Sequence, residues 1–229
     1  MINVYAVVDG KSEQAFAQQV VAVHLAAQGV FLEAALVGKP GRKGGGRSWA
    51  STRRDLVNFL KISRFGRPVH VTTMFDYYGM PPGWPGRKKA ASLPLVHKAT
   101  TIKKAMAEDI RRCMGAEFDA SRFVPYVQMH ELEALILADP SRLADEFPER
   151  RAEAEALGQS IGNADPDSVD DGQTTAPSKR IIAQIPEYKR RKASAAANVL
   201  KLIGLHSLRA KCAHFDDWIS SLEKLANQS

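Results

Sequence analysis

The chain has 229 residues, 45% of them hydrophobic and 25% charged, with a formal net charge of +7. That length and composition bury a sizeable core, so global disorder is excluded, and the basic balance suits a nucleic-acid partner without requiring one. Two distant cysteines, Cys113 and Cys212, stand in no CxxC or zinc spacing. No run approaches the roughly 20 apolar residues of a membrane span, and MINVYAVVDG lacks a signal-peptide form, so reduced thiols and a soluble cytoplasmic protein without membrane contact are expected.

The first element, INVYAVV (2–8), is a continuous apolar and β-branched run, as in a strand covered on both faces. It stops at Asp9-Gly10. Ser12 is then expected to cap a helix with its apolar face at Phe16, Val20, Val23 and Ala27, closed by Gly29. A second strand is expected over 31–38 (FLEAALVG). The next segment holds Lys39, Arg42, Lys43, Arg47, Arg53 and Arg54 around a triple glycine and contains no acid. A helix over 49–63 follows, and RPVHVTTMFD gives a third strand ending at Asp76.

Residues 77–94 hold so many prolines and glycines that a long loop without regular structure is expected. A helix near 97–114 leads to FVPYVQMHELEALILADP (123–140), which starts like a buried strand and ends like a helix. His130, Glu131, Glu133 and Asp139 crowd this change-over. The order β-α-β-α-β-loop-α-β-α argues for a mostly parallel sheet with helices on both faces. We expect residues 1–140 to form that α/β core. Residues 141–229 would form a loop and a helical extension packed on it, with helices at SKRIIAQI, KASAAANVLKLIG and CAHFDDWISSLEKLA.

A parallel sheet gathers the carboxyl ends of its strands along one edge, where ligands bind. Asp9, Glu13, Asp76, His130, Glu131 and Glu133 all fall at such ends. Carboxylates crowded together repel and raise one another's proton affinity, and a hard divalent cation relieves that penalty. An oxygen-rich, cysteine-free set suits Mg²⁺ or Mn²⁺ rather than zinc. A single acid in a first helical turn is as readily explained by the helix dipole. The recurrence at three strand ends is what favours a site. Glu131 and Glu133, two apart, face opposite ways on a regular helix and reach one site only if the helix starts after them.

VVDGKSEQAF resembles the first motif of Toprim domains, found in topoisomerases, bacterial primases and overcoming-lysogenization-defect (OLD) nucleases. Together with TTMFDYYGMPPGWPG, FVPYVQMHELEALILADP, APSKRI and KCAHFDDWISSLEKL, it resembles the Toprim-like domain-of-unknown-function family four-two-seven-six along almost the whole chain. Asp9 stands where Toprim domains carry glutamate, and Asp76-Tyr77-Tyr78 lacks the second acid of their Asp-x-Asp motif. The resemblance implies a Toprim-like fold and a metal-dependent phosphodiester hydrolase acting on DNA ahead of RNA. It also implies an ABC/SMC-type ATPase partner in genome or anti-phage defence.

On this reading Asp9, Glu13, Asp76, Glu131 and Glu133 hold the metal, and His130 is a general base, a metal neighbour or a structural histidine. Lys179, in the APSKRI motif, is the candidate catalytic cation, with Ser178-Lys179-Arg180 and Lys189-Arg190-Arg191-Lys192 as further phosphate contacts. Arg42, Lys43, Arg47, Arg87, Lys88 and Lys89 are candidate nucleic-acid contacts, and GRKGGGRSW lacks the ending of a P-loop. Tyr77, Tyr78 and Trp84 either stack on bases or anchor the core. The alternative is a non-catalytic subunit that binds nucleic acid and an ATPase. Phe215, Trp218, Ile219 and Leu222 share one helix face that serves core packing or such a contact.

Overall fold

A computed structural model describes residues 1–38, 48–169 and 175–228. Strands β1 (Ile2–Val8), β2 (Val30–Leu36), the short pair β3 (Ser63–Arg64) and β4 (Arg67–Pro68), β5 (His70–Asp76), β6 (Phe123–Val124) and β7 (Val127–Gln128) follow in chain order. The main sheet runs β2-β1-β5-β6, with β7 also on β5, and every pairing in it is parallel. β3 and β4 form a separate antiparallel hairpin, so the third core strand starts at His70 rather than at Arg67.

Alternation along β1 explains why the strand is apolar throughout. Val4, Ala6 and Val8 enter one hydrophobic cluster, while Tyr5 and Val7 enter the other on the opposite face. The first cluster also takes in the helix after β1 and most of the C-terminal helices, including Tyr188–Ile203 and Ala213–Glu223. The second packs Trp49–Leu60 and Leu95–Met114. The molecule is therefore an α/β fold with helices on both faces of a mostly parallel sheet and a helical C-terminal part.

β6 and β7 are one strand interrupted at Pro125. Val71 pairs Phe123 and Phe75 pairs Val127, so the register on β5 is unchanged across the break. Proline has no N–H to give to a ladder. The hydroxyl of Thr73 fills in: it donates to the Tyr126 carbonyl at 2.8 Å and accepts from the Tyr126 N–H at 2.9 Å. Thr72 Oγ1 donates to the Val124 carbonyl at 2.6 Å and accepts from Trp218 Nε1 at 2.8 Å. Trp218 stacks on Tyr126 with ring centres 4.4 Å apart, and Phe215, Trp218, Ile219 and Leu222 are all buried.

Three local expectations are corrected. The helix after β1 is α over Lys11–Phe16, π over Ala17–Val21 and α again over Ala22–Ala26. The wider turn shifts the inward face to Phe16, Ala17, Val21, Ala22 and Leu25, leaving Val23 67% exposed and Ala27 exposed. Gly10, not Ser12, occupies the N-cap, and Ser12 is buried inside the first turn. Within 77–94 the chain forms a short helix, Arg87–Ala91, so that segment is not loop throughout.

Candidate functional site

Because β1, β5 and β7 are parallel, Asp9 just beyond β1 and Asp76 at the end of β5 lie along the same edge, and Gln128 is the register partner of Asp76. The chain continues from β7 into His130, Glu131 and Glu133. Glu13, in the first turn after β1, folds back over Gly10, where a Cβ would collide with its Oε2. The absence of a side chain at Gly10 thus lets the Glu13 carboxylate lie against the backbone.

These acids share one electrostatic environment. Burial pushes the Glu13 carboxyl up to about 7, with Asp9 and Glu131 adding to the effect. Asp76 is held well above the usual carboxylate range by burial first, then by Glu13, Asp9, Glu133 and Glu131. Its Oδ1 is shut off from solvent and has no hydrogen-bond partner among the described residues. Burial also raises Glu133 to about 7, against the opposing pull of Lys192 and Tyr188. Among the described residues no three His, Cys, Asp or Glu side chains are drawn together closely enough to enclose a metal ion as they stand.

The helix at 133–136 begins at Glu133, so Glu131 still lies in non-helical chain. Both carboxylates then reach one lysine: Lys192 Nζ is 3.2 Å from Glu133 Oε1 and 3.8 Å from Glu131 Oε2. Burial works against the charge of Lys192, but Glu133 and Glu131 outweigh it and raise its proton affinity. Tyr188 lies one helical turn before Lys192 on Tyr188–Ile203, hence on the same face, and its hydroxyl donates to Glu133 Oε1 at 3.0 Å. Ser178, in the first turn of Pro177–Gln184, donates its N–H to Glu131 Oε1 at 2.5 Å and its hydroxyl to Oε2 at 3.0 Å. Glu131 therefore caps that helix from 47 positions away, satisfying an N–H that the helix itself leaves unpaired.

The remaining candidates divide. His130 is buried, its ring centre 6.0 Å from that of Tyr77, and its carbonyl accepts from the Tyr78 N–H at 2.9 Å. Tyr77 and Trp84 are core residues, Trp84 packing between Trp49 and Phe75, whereas Tyr78 is 47% exposed. Arg87 stacks on Tyr77, with its guanidinium carbon 3.9 Å from the ring centre, and Nη1 donates to the Tyr77 hydroxyl at 2.9 Å. Lys88, Lys89 and Lys179 are exposed. Arg42, Lys43 and Arg47 lie outside the described residues. Asp139 pairs with Arg142 rather than joining the cluster.

Sequence reasoning singled out Lys179, while the lysine beside the acids is Lys192. The signal was present in the spacing of Tyr188 and Lys192, which puts a phenol and an ammonium on one helix face. Nothing local to those residues says that Glu133 lies opposite.

No curated protein matches the chain. A solved structure, the C-terminal region of the Xanthomonas campestris pv. campestris OLD protein, superposes with a TM-score of 0.41 at 14% identity, covering 98% of this chain and 96% of that one. Among the described residues no helix is long and apolar enough to cross a membrane. The family model "Domain of unknown function (DUF4276)" matches residues 8–223, nearly the full length, and the chain belongs to that family.

Proposed function

We propose that this chain is a Mg²⁺- or Mn²⁺-dependent nuclease of Toprim type that hydrolyses nucleic-acid phosphodiesters, DNA ahead of RNA. The observation that carries the proposal is the convergence of Asp9, Glu13, Asp76, Glu131 and Glu133 on one sheet edge, with Asp76 Oδ1 buried and unsatisfied. A buried polar atom without a partner costs free energy unless a ligand supplies one. The donor set is all carboxylate, which fits a hard divalent ion. Asp9, Glu13 and Asp76 would hold it, with Glu131 and Glu133 completing the acidic wall.

When bound, such an ion neutralises charge on the phosphate and makes a nearby water more acidic. The side chains supply the rest. Lys192 carries its charge at the edge of the cluster, kept there by Glu133 and Glu131, where it can meet a phosphate oxygen. Tyr188 and Ser178 fix the two glutamates that orient it. The proton that water loses as it attacks phosphorus passes to solvent, since Glu13 is committed to the ion. The ester P–O bond then breaks, and a proton from solvent or Lys192 goes to the leaving oxygen.

The alternative is a binding-only subunit, and among the described residues the carboxylates do not enclose an ion as they stand. Calorimetric titration of Mg²⁺ and Mn²⁺ into the wild type and Asp76→Ala decides between them. Saturable binding that the substitution abolishes is expected. Supercoiled DNA, single-stranded DNA and RNA are then incubated with Mn²⁺, with and without an ABC/SMC-type ATPase. No metal binding and no cleavage of any substrate would overturn the nuclease proposal.

A further inference from the structure

On the far side of Asp76 the electrostatics reverse. Two cations converge on the ring of Tyr77, the residue that follows Asp76: Arg87, 3.9 Å from the ring centre, and Lys98, with Nζ at 5.4 Å. Among the described residues neither has a carboxylate partner. The Nε of Arg87 is buried and has no acceptor among the described residues, although its Nη1 is spent on the Tyr77 hydroxyl. Lys98 is the fourth residue of Leu95–Met114, a helix with no acid in its first turn, so the positive end of the helix dipole adds to the two charges rather than offsetting them. Tyr77 itself is buried and thus acts as a scaffold, not as a surface for a base.

Two like charges on one ring and a buried donor with no acceptor among the described residues are unfavourable together unless an anion joins them. Guanidinium and ammonium groups are the usual donors to phosphate. We infer that Arg87 and Lys98, held on Tyr77, form a phosphate-binding subsite that grips the nucleic-acid backbone beside the acidic centre, with exposed Tyr78 next to it as a stacking surface for an unpaired base. This rests on the nuclease proposal for the identity of the ligand. It adds the place where the strand is held and a preference for single-stranded nucleic acid at that point.

The test is fluorescence anisotropy of the full chain with a labelled single-stranded oligonucleotide in EDTA, so that binding is read without metal or cleavage. Lys98→Gln and Arg87→Gln are each expected to weaken binding roughly 5- to 20-fold and to lower the slope of log K against log salt by about 0.7. Lys98→Arg should restore most of the loss. Melting curves check that each variant is folded, and Lys98→Gln, on a half-exposed side chain, keeps the test open should Arg87→Gln unfold.

Wild-type affinity and slope in folded variants, or no binding by the wild type, overturns the subsite. So does displacement of the strand by micromolar inorganic phosphate or mononucleotide, which would assign the site to a small phosphate. Divalent-metal titration of Lys98→Gln separates the two proposals. Unchanged metal binding with weakened strand binding supports the subsite. Absence of metal binding in the wild type sinks the nuclease proposal while the oligonucleotide result still judges the subsite.

Discussion

The two flanks of Asp76 carry opposite imbalances. Towards the Tyr188–Ile203 helix, Asp9, Glu13, Asp76, Glu131 and Glu133 gather beside Lys192, and three of these carboxyls are pushed towards neutrality. Towards the Leu95–Met114 helix, Arg87 and Lys98 share one aromatic ring, and among the described residues neither has a carboxylate partner. A protein selected for stability alone would mix these charges into pairs. Keeping them apart costs stability, and the separation matches the charge order of a cation bound beside a phosphodiester strand.

The sharpest way to break this comparison is to neutralise its centre. Asp76→Asn should lower cleavage on the order of 10³-fold while raising the melting temperature at pH 8, because it removes a buried charge that its neighbours repel. A loss below tenfold would show that the acidic flank is not the reactive one.

The second test uses pH. The native proton affinities of Glu13 and Glu133 are raised to about 7 from an ordinary 4.5, so the folded state binds more protons than the unfolded state between those values. Stability is therefore full below pH 4.5 and lost as pH rises through 7. Each tenfold change in proton affinity is worth about 1.4 kcal/mol, so without metal the melting temperature should fall by roughly 10–20 °C from pH 5 to pH 8. Saturating Mn²⁺ should shrink that fall. A flat profile, unchanged by Glu133→Gln, would remove the electrostatic argument.

Lys192→Met should cost about 1–2 kcal/mol in chemical denaturation, and the double variant with Glu133→Gln should cost less than the sum, since the two share one ion pair. Ser178→Ala leaves the backbone N–H on Glu131 and should cost about 1 kcal/mol. The smallest effect tests the fold: Val23→Lys, on the face turned outward by the π-helical segment, should change stability by less than about 0.5 kcal/mol.

What sequence alone could convey follows from how far apart the interacting residues lie. β1 and β5 are legible because burial on both faces demands unbroken apolar runs, and parallel topology then places Asp9 and Asp76 on one edge without further information. The π segment is not legible, because Ala17–Val21 carries no local signature; its widened turn suits the two layers it packs between. The lysine of the site is hidden for a different reason. Lys192 sits in a run of four basic residues that reads as a solvated helix face, and only the docking of that helix across Glu133 distinguishes it from Lys189, Arg190 and Arg191. Likewise Tyr77 reads as a candidate base platform until its burial under Arg87 is seen.

The hydroxyl of Thr73 carries the sheet past a position where proline supplies no amide hydrogen. Serine could replace it there, but valine, though nearly identical in shape, would leave both the amide and the carbonyl of Tyr126 stranded. His130, Glu131 and Glu133 all hang from the far side of that seam, so the geometry of the acidic edge is inherited from one oxygen atom buried in the middle of the sheet.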